Sequence, residues 1–340
     1  MSGKIKIKKL DTLTEIFRAF KQLKVLIIGD VMIDSYLWGK VDRISPEAPV
    51  PIVCVEKRDQ RLGGAANVAL NIQSLGATPI LCSVIGTDLD GDNFTTLLKQ
   101  NKLTSKGIIR SKSRITTIKH RIISGAHHML RVDSEIDSNI SNAECKTLIK
   151  TAKALIADCD VVIFEDYDKG ILTKECIEEI IAFCNKKNIP TIVDPKKRNF
   201  LHYKNASLFK PNKKEMKEGL KLDTDLSDFK NIQSAVSLLK KKLNNEAILI
   251  TLSEKGVYID KEKEKHLIAA HTRAISDVSG AGDTVVSVAA LCYALKVNPK
   301  FLACLSNLAG GIVCEYVGVV PINKDQLHKE AIRLKLEAEI

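Results

Sequence analysis

Hydrophobic residues occur in two alternating patterns along the chain. Short apolar runs that end in an acidic residue, as at 25–30 and 161–165, are typical of strands buried on both faces of a sheet. Runs with an apolar residue every three or four positions, as at 142–157 and 173–186, predict helices. Strands that alternate with helices of this length predict right-handed βαβ units, and therefore an α/β fold: a doubly wound, mostly parallel sheet covered by helices on both faces.

The same patterns predict the remaining elements of the main body. Further strands are expected over 80–84, 191–194, 207–210 and 247–251, with an antiparallel pair at 257–260 and 266–270. Further helices are expected over 65–75, 93–99, 213–220, 227–243, 284–295 and 301–316. We predict one domain over 21–325, preceded by an amphipathic N-terminal helix at 1–20 and followed by a helical tail at 326–340.

Two segments interrupt this alternation. The first, about 36–62, contains prolines that exclude a helix and ends in a strand-like run at 51–55. The second, about 112–133, contains a β-rich pair, 114–124 and 129–133, that turns at Gly125. We expect them to form a small, discontinuous β lid. Exposed apolar edge strands need cover, so we predict that two lids pair in a homodimer. The single Trp38 would then contact either the ligand or the second subunit.

Composition narrows the class of protein. The net charge is +11, but the basic residues are dispersed through Lys-rich helices and only 5% of residues are aromatic. This disfavours nucleic-acid binding and favours a surface that attracts small phosphorylated ligands. Nine cysteines without a C-x-x-C pair indicate a reducing compartment and argue against zinc. Since there is no run of about 18 apolar residues, we expect no membrane span and a cytoplasmic location.

The segment 277–284, Asp-Val-Ser-Gly-Ala-Gly-Asp-Thr, carries the clearest chemistry. It precedes an apolar helix, so the backbone N–H groups of Gly280, Ala281 and Gly282 are expected at a helix start, which is an anion site. Asp283 at the same place would repel a phosphate unless the carboxylate has a chemical task. A base beside an anion site favours phosphoryl transfer.

Acidic and polar residues also follow several predicted strands. In open α/β sheets ligands bind beyond the carboxyl ends of the strands, so recurrence on one rim favours a site there. Any one of these residues could instead be a helix N-cap. The residues are Asp30, Asp34, Glu165, Asp166, Asp194 and Asn212.

Two separated motifs resemble a known family. Gly63-Gly64-x-x-Asn67 and the segment 277–283 resemble the two signatures of the ribokinase-like carbohydrate kinases, over about residues 21–325. More narrowly, residues 29–34, 43–51, 166–170 and 193–196 resemble the D-glycero-β-D-manno-heptose 7-phosphate kinase branch. That branch phosphorylates the anomeric C1 hydroxyl on the route to ADP-heptose for lipopolysaccharide or related glycans. An adenylyltransferase domain follows in many members. The chain contains no His-x-Gly-His, so we expect the kinase part alone.

The resemblance implies roles for the matched residues. Asp283 would be the base, with the N–H groups of 280–282 holding charge on the transferred phosphoryl group. The sugar hydroxyls would be held by Asp34, Gly63, Gly64 and Asn67. The Asn212-x-x-Glu215 element would place Mg²⁺, partly through water, against the phosphates of ATP. Other nucleotide contacts are expected from Thr251, Ser253, Gly256, Asp277 and Asn307. Family members often use K⁺ near the 277–283 loop, which leaves K⁺ as an optional ion.

A phosphorylated sugar also needs cationic partners. The candidates are Lys169, Lys196, Arg121 and Arg131, with Asp166 as a further sugar contact; a solvated surface charge is the alternative for each cation. The chain departs from the branch at His127-His128 and at Glu165. Three alternatives therefore stay open: a kinase of another sugar or sugar phosphate, such as fructose 1-phosphate or ribose; a non-catalytic sugar- or nucleotide-binding regulator; and a basic nucleic-acid binder.

Overall fold

The computed structural model describes residues 10–125, 127–226 and 228–340. Its strands are β1 (Lys24–Gly29), β2 (Val31–Ile44), β3 (Pro51–Gly64), β4 (Thr78–Gly86), β5 (Gly107–Ser111), β6 (Ile118–Ser124), β7 (His127–Ser134), β8 (Val161–Glu165), β9 (Thr191–Asp194), β10 (Leu208–Phe209), β11 (Ala247–Thr251), β12 (Val257–Lys261) and β13 (Glu264–Ile268). Its α-helices are α1 (Leu13–Ala19), α2 (Ala65–Ser74), α3 (Leu89–Gln100), α4 (Asn142–Ile156), α5 (Lys174–Lys187), α6 (Lys213–Leu220), α7 (Phe229–Leu243), α8 (Ala281–Ala294), α9 (Pro299–Val313) and α10 (Lys324–Arg333).

A nine-stranded sheet forms the centre of the described chain, in the order β13-β12-β11-β10-β9-β8-β1-β4-β5. Its pairings are parallel except for those of β12 and β13, which run antiparallel at one edge. Apolar strand residues are buried on both faces in two core clusters, one packed against α2, α8 and α9 and the other against α4, α5 and α7. The predicted doubly wound α/β fold is confirmed.

A second sheet of four strands, in the order β3-β2-β6-β7, stands apart from the first. β2 and β3 each have 14 residues, far more than the predicted run at 51–55. Much of their outer part is solvent-exposed and charged, which weakened the alternating apolar pattern. The strand predicted from residue 114 begins only at Ile118, and the Arg114 guanidinium before it donates to the carbonyl oxygens of Ile136 and Ser138.

The two ends of the described chain lie against the body. α1 is capped by Thr12, continues into a 3₁₀ turn at Phe20–Gln22, and buries Leu13, Ile16 and Phe17. The part of the predicted helix at 1–9, like Ser227 in the predicted helix at 227–243, lies outside the described residues. Near the other terminus, α10 contacts α1 and α9. No helix in the described ranges is long and apolar enough to cross a membrane.

Candidate active site

The first turn of α8 places Asp283 at the carboxyl edge of the central sheet. Gly280 is the N-cap of this helix, and its φ of 80° is in the left-handed region that favours glycine. A Cβ at Gly280 would lie 3.1 Å from Asn67 Nδ2, so the glycine also allows close approach of the second motif. The loop and the start of α2, far apart in sequence, therefore meet at one point.

Two donors hold the Asp283 carboxylate. Asn67 Nδ2 donates to its Oδ2 at 2.7 Å, and the Tyr167 hydroxyl donates to its Oδ1 at 2.7 Å. The side chain is buried, and burial raises the pKa of Asp283 above its ordinary value even though these hydrogen bonds lower it. A carboxylate of raised pKa in a fixed orientation is suited to general-base chemistry.

The backbone around Asp283 forms the expected anion site only in part. N–H groups in the first turn of a helix have no intrahelical acceptor, which leaves those of Gly282 and Asp283 directed out of the helix end. Ala281 N, however, donates to Val278 O at 3.3 Å. Asp277 accepts from Ser279 N, Ser279 Oγ and Gly318 N, at 2.9 to 3.0 Å. Burial would raise the pKa of Asp277, but these hydrogen bonds outweigh it and lower the pKa. The Asp277 side chain thus shapes the loop.

The sugar-side residues also come together. Asp34 on β2 is buried and forms an ion pair with Arg121 on β6. A Cβ at Gly63 would lie 2.2 Å from Asp34 Oδ2, so only glycine leaves this carboxylate its place. Gly64, at φ 59°, turns the chain into α2. The ring of Tyr36 lies beneath the Arg121 guanidinium at 5.4 Å.

On the other side of Asp283, cations and carboxylates are interleaved. Lys196 Nζ lies 2.5 Å from Glu215 Oε1 and 5.3 Å from the centre of the Tyr167 ring. Burial alone would lower the pKa of Lys196, but Asp194 and Glu215 outweigh it and raise the pKa. The second Glu215 oxygen accepts from Asn212 N at 2.8 Å, because the two residues form a capping box on α6.

Three further buried charged residues lie in this region: Lys210, which sequence reasoning did not select, and Glu165 and Asp194, which it named at the strand ends without giving them a role. Lys210 at the end of β10 pairs with Asp194 at 2.9 Å, and both lie within 4 Å of a Cβ placed at Gly282. Both Glu165 oxygens lack a hydrogen-bond partner among the described residues. The pKa of Glu165 is raised well above its ordinary value, mainly by burial and next by the negative charges of Asp194 and Asp283. The signal that selected Glu165 and Asp194, a charged residue at the end of an apolar strand, was available for Lys210 as well.

Tyr167 was also missed as a site residue. It lies inside the segment 166–170 that carried the family resemblance, but its neighbours Asp166 and Lys169 were chosen because they carry charge. The hydroxyl of a tyrosine gives no sign in the sequence that it will meet a carboxylate 116 positions later. Only the fold brings the two together.

Other predicted residues are not brought to Asp283. The Asp166 carboxylate accepts from Tyr203 and Asn199 inside the protein, at 2.7 and 3.1 Å, and so does not face a ligand. Lys169 pairs with Glu135, and the exposed Arg131 pairs with Asp133.

The predicted nucleotide contacts lie along the neighbouring strand ends. Thr251 at the end of β11 bridges to Asn212, and Ser253 starts a 3₁₀ turn. Gly256 is required by the turn itself, since it has φ 91° and a Cβ there would meet Ile268 O at 2.0 Å. Asn307 donates to Ala269 O at 2.8 Å. Ser253 thus borders a groove with Asn212, to which Thr251 is bridged, whereas the Asn307 amide has a structural partner.

Asp166 gives a pH-dependent contribution to stability. Burial is the main cause that raises the pKa of Asp166 to about 7, and the negative charge of nearby Asp30 is the second. The hydrogen bonds that Asp166 accepts lower the pKa but do not outweigh these two causes. The folded chain retains a proton there that the unfolded chain, with a pKa of about 4, releases. Stability from this group therefore falls as pH rises from about 4 to about 7 and is level above. In Asp166→Asn we expect a smaller fall in melting temperature over this range than in the wild type. An equal fall in thermal melts would contradict the assignment.

Taken together, these residues define a class of site. A buried base lies at a glycine-opened helix start and is hydrogen-bonded to Asn67, which follows a carboxylate and two glycines of the second sheet. Paired cations lie on the other side. This arrangement, at the carboxyl edge of a doubly wound sheet, is that of a phosphotransferase acting on a sugar hydroxyl.

Comparison with known proteins gives the family. Residues 22–325 match the model of the pfkB family of carbohydrate kinases, and the chain belongs to that family. It is 38% identical over 309 residues to "Bifunctional protein HldE" of Desulfatibacillum aliphaticivorans, covering 91% of this chain and 63% of that protein. It is 39% identical over 318 residues to the protein of the same name from Caulobacter sp. (strain K31), covering 93% and 64%. The chain thus spans under two thirds of these relatives.

Solved structures agree on the fold. Phosphofructokinase-2 from Escherichia coli in complex with potassium superposes with a TM-score of 0.76 at 17% identity, covering 92% of this chain and 99% of that one. The predicted ribokinase-like fold and the predicted carbohydrate-kinase class are confirmed. Carbohydrate kinases of this fold use ATP and a divalent metal.

Proposed function

We propose that the protein transfers the γ-phosphoryl group of ATP to the anomeric C1 hydroxyl of D-glycero-β-D-manno-heptose 7-phosphate, giving the 1,7-bisphosphate for ADP-heptose biosynthesis. The observation that carries the kinase chemistry is the Asp283–Asn67 hydrogen bond, which joins the two motifs in one site. The choice of heptose is supported by the extended similarity to the bifunctional HldE proteins. A cytoplasmic location suits this role.

In the proposed reaction Asp283 accepts the proton of the C1 hydroxyl as the sugar oxygen attacks the γ-phosphorus. The bond from the γ-phosphorus to the β,γ-bridging oxygen breaks, and ADP leaves. Asn67 keeps Oδ2 of the base in place. Asp34, together with the backbone at Gly63 and Gly64, receives neighbouring sugar hydroxyls. First-turn N–H groups of α8 stabilise charge on the transferred phosphoryl group. The buried Lys210 and the partly exposed Lys196 add positive charge on the same side of the base.

A magnesium ion fits the carboxylate on α6. Glu215 is a hard oxygen donor with only 10% of its side chain exposed, and both of its oxygens already accept from Lys196 and Asn212. An ion would therefore reach Glu215 through water, as Mg²⁺ commonly does. When bound with ATP, the ion neutralises phosphate charge. The potassium complex of the structural relative supports K⁺ as a second ion near the 277–283 loop.

The 7-phosphate is assigned to the basic residues of the second sheet and its border. Arg121, Arg131 and Lys169 each pair with a carboxylate, as does Lys119, which sequence reasoning did not select. A phosphate entering here would compete with these carboxylates for the same cations.

The substrate is tested by ADP release across a panel of heptose 7-phosphate, fructose 1-phosphate, fructose 6-phosphate, ribose and unphosphorylated heptose. We expect the highest kcat/KM with heptose 7-phosphate. Faster turnover of another member would assign the site to that sugar. ATP turnover with none of them, in protein that binds ATP, would favour a non-catalytic regulator.

We propose further that two copies associate through the outer face of the four-stranded sheet. Leu130 pairs in register with Ile122, which pairs with Leu37, so these apolar residues share one face. The opposite face carries Asp34 and Arg121. Leu130 and Val132 are 56% and 45% exposed, which is costly for a monomer.

For this interface we expect Leu130→Asp to convert a dimer into a monomer in light scattering at micromolar concentration, because a buried unpaired charge opposes association. The matched control is Leu89→Asp, which changes a residue that is 74% exposed on α3, and should remain dimeric. Wild-type protein that is monomeric under these conditions would refute the interface.

A further inference from the structure

Tyr167 connects the base to the phosphate side of the site. Its hydroxyl donates to Asp283 Oδ1, while the face of its ring receives Lys196, the partner of Glu215. Asn67 Nδ2 donates to the other carboxylate oxygen of Asp283, Oδ2. The two donors approach from different elements, so they fix the plane of the carboxylate and leave defined lone pairs for a third donor.

The loop that carries Tyr167 is held by hydrogen bonds to two side chains, those of Asp30 and Arg114. Asp30, directly after β1, accepts from three backbone N–H groups of this loop: Tyr167 at 2.8 Å, Lys169 at 3.2 Å and Ile171 at 3.1 Å. The Arg114 guanidinium donates to the Lys169 carbonyl oxygen and to Ser138 O. A side chain on a loop tied in this way has little freedom, so its hydroxyl is presented to Asp283 before any substrate binds.

We propose that Tyr167 is a positioning residue for the base: its hydroxyl fixes Asp283 in the orientation that receives the proton of the sugar hydroxyl and keeps the carboxylate ionised. The inference rests on the proposed function, because it concerns the same proton transfer. It adds a residue that neither motif contains and assigns the loop at 166–171 to the catalytic step rather than to sugar binding.

Ionisation of the base depends on every charged group that faces it. The negative charges of Glu165 on β8 and Asp194 on β9 disfavour ionisation of Asp283. The positive charge of Lys196 favours it, whereas Lys210 forms an ion pair with Asp194. Burial acts in the same direction as the two acids. Asn67 and Tyr167 are the two hydrogen-bond donors that offset these effects. Removing one donor should therefore shift the base toward its protonated, inactive form.

The test is the pH dependence of kcat in Tyr167→Phe, which removes the hydroxyl and keeps the ring. We expect the acid limb of the profile to move to higher pH by about one unit, a tenfold change in the acid dissociation constant. The plateau should fall by about tenfold because the base loses its fixed orientation. The KM for ATP should change little.

Tyr203→Phe is the matched control. Tyr203 is buried and, like Tyr167, donates to an aspartate, Asp166 Oδ2 at 2.7 Å, but it does not touch Asp283. Any general effect of removing a buried hydroxyl appears in both variants, whereas a shifted acid limb is expected in Tyr167→Phe alone. Coincident profiles of the wild type and Tyr167→Phe would overturn the inference, as would an equal shift in Tyr203→Phe.

A second variant covers the case in which Tyr167→Phe does not fold. Site-specific replacement of Tyr167 by 3-fluorotyrosine keeps the side-chain shape and makes the hydroxyl a stronger donor. The acid limb should then move to lower pH, and an unmoved limb would contradict the proposal. Failure of the proposed function is distinguishable, since the wild type itself would then turn over no member of the sugar panel.

Discussion

Asp283→Asn should lose turnover by a factor on the order of 10³ while the protein stays folded and binds ATP. General-base catalysis contributes about 10²–10⁴ in rate, and an amide cannot accept the proton. The change is otherwise well tolerated by the surroundings. The asparagine oxygen can accept from Asn67 Nδ2, and its amide can donate to the Tyr167 hydroxyl oxygen. Single-turnover ADP formation and ATP titration calorimetry measure the two expectations separately.

Asp260→Asn is the matched control for this variant. Asp260 is also a buried acid with a close partner, Lys240 Nζ at 2.6 Å, but it lies on β12 at the antiparallel edge of the central sheet. It should lower the melting temperature and leave the rate per folded molecule near that of the wild type. Undiminished turnover in Asp283→Asn would remove Asp283 from the role of base.

Gly63→Ala is expected to cost about 100-fold in kcat/KM, mainly through the KM for the sugar. The added methyl group would lie 2.2 Å from Asp34 Oδ2 and 2.9 Å from Met32 Cγ. Asp34 must therefore move, which also disturbs its ion pair with Arg121. Displacement of a substrate-positioning group by about 1 Å is enough for a loss of this size. Initial-rate kinetics at saturating ATP measure it.

Gly311→Ala supplies the comparison. Gly311 lies inside α9, and its new Cβ would come no closer than 3.3 Å to the flexible side chain of Arg273. Alanine also has the higher helix propensity, so stability should be unchanged or slightly raised. If Gly63→Ala kept the wild-type KM for the sugar, Asp34 would not be a sugar contact.

The central sheet could be predicted from the sequence because burial on both faces leaves a strong local signal. Runs such as 161–165 are apolar throughout and stop at one charged residue. The second sheet was harder to predict because it is exposed on much of its surface. β2 pairs in parallel with β6, so that Ile33 lies opposite Ile118, 85 positions further along the chain. No local pattern specifies such a partner.

The two motifs located the site before its geometry was known, since glycine-rich turns and a helix start have local causes. Contacts between side chains that only tertiary packing brings together could not be predicted from the sequence. Lys196 and Glu215 meet across a gap of 19 positions, and Asp283 meets Tyr167 across 116. Asp166 was placed in the site because acids at strand ends often are, yet its carboxylate turns inward to Tyr203. The end of a strand determines the backbone position of a residue, but side-chain packing determines the direction of its side chain.

Only Asp30 separates β1 of the central sheet from β2 of the second sheet, and β3 returns through Gly64 directly into α2. The two sheets are therefore not independent modules joined by a tether. Any exchange of β2 and β3 between relatives would have to carry residues 30–67 as one block. This block begins at Asp30, which holds the loop of Tyr167, and ends at Asn67, which holds the base. Engineering of sugar preference in this chain is consequently confined to substitutions within the sheet, where the backbone path stays the same.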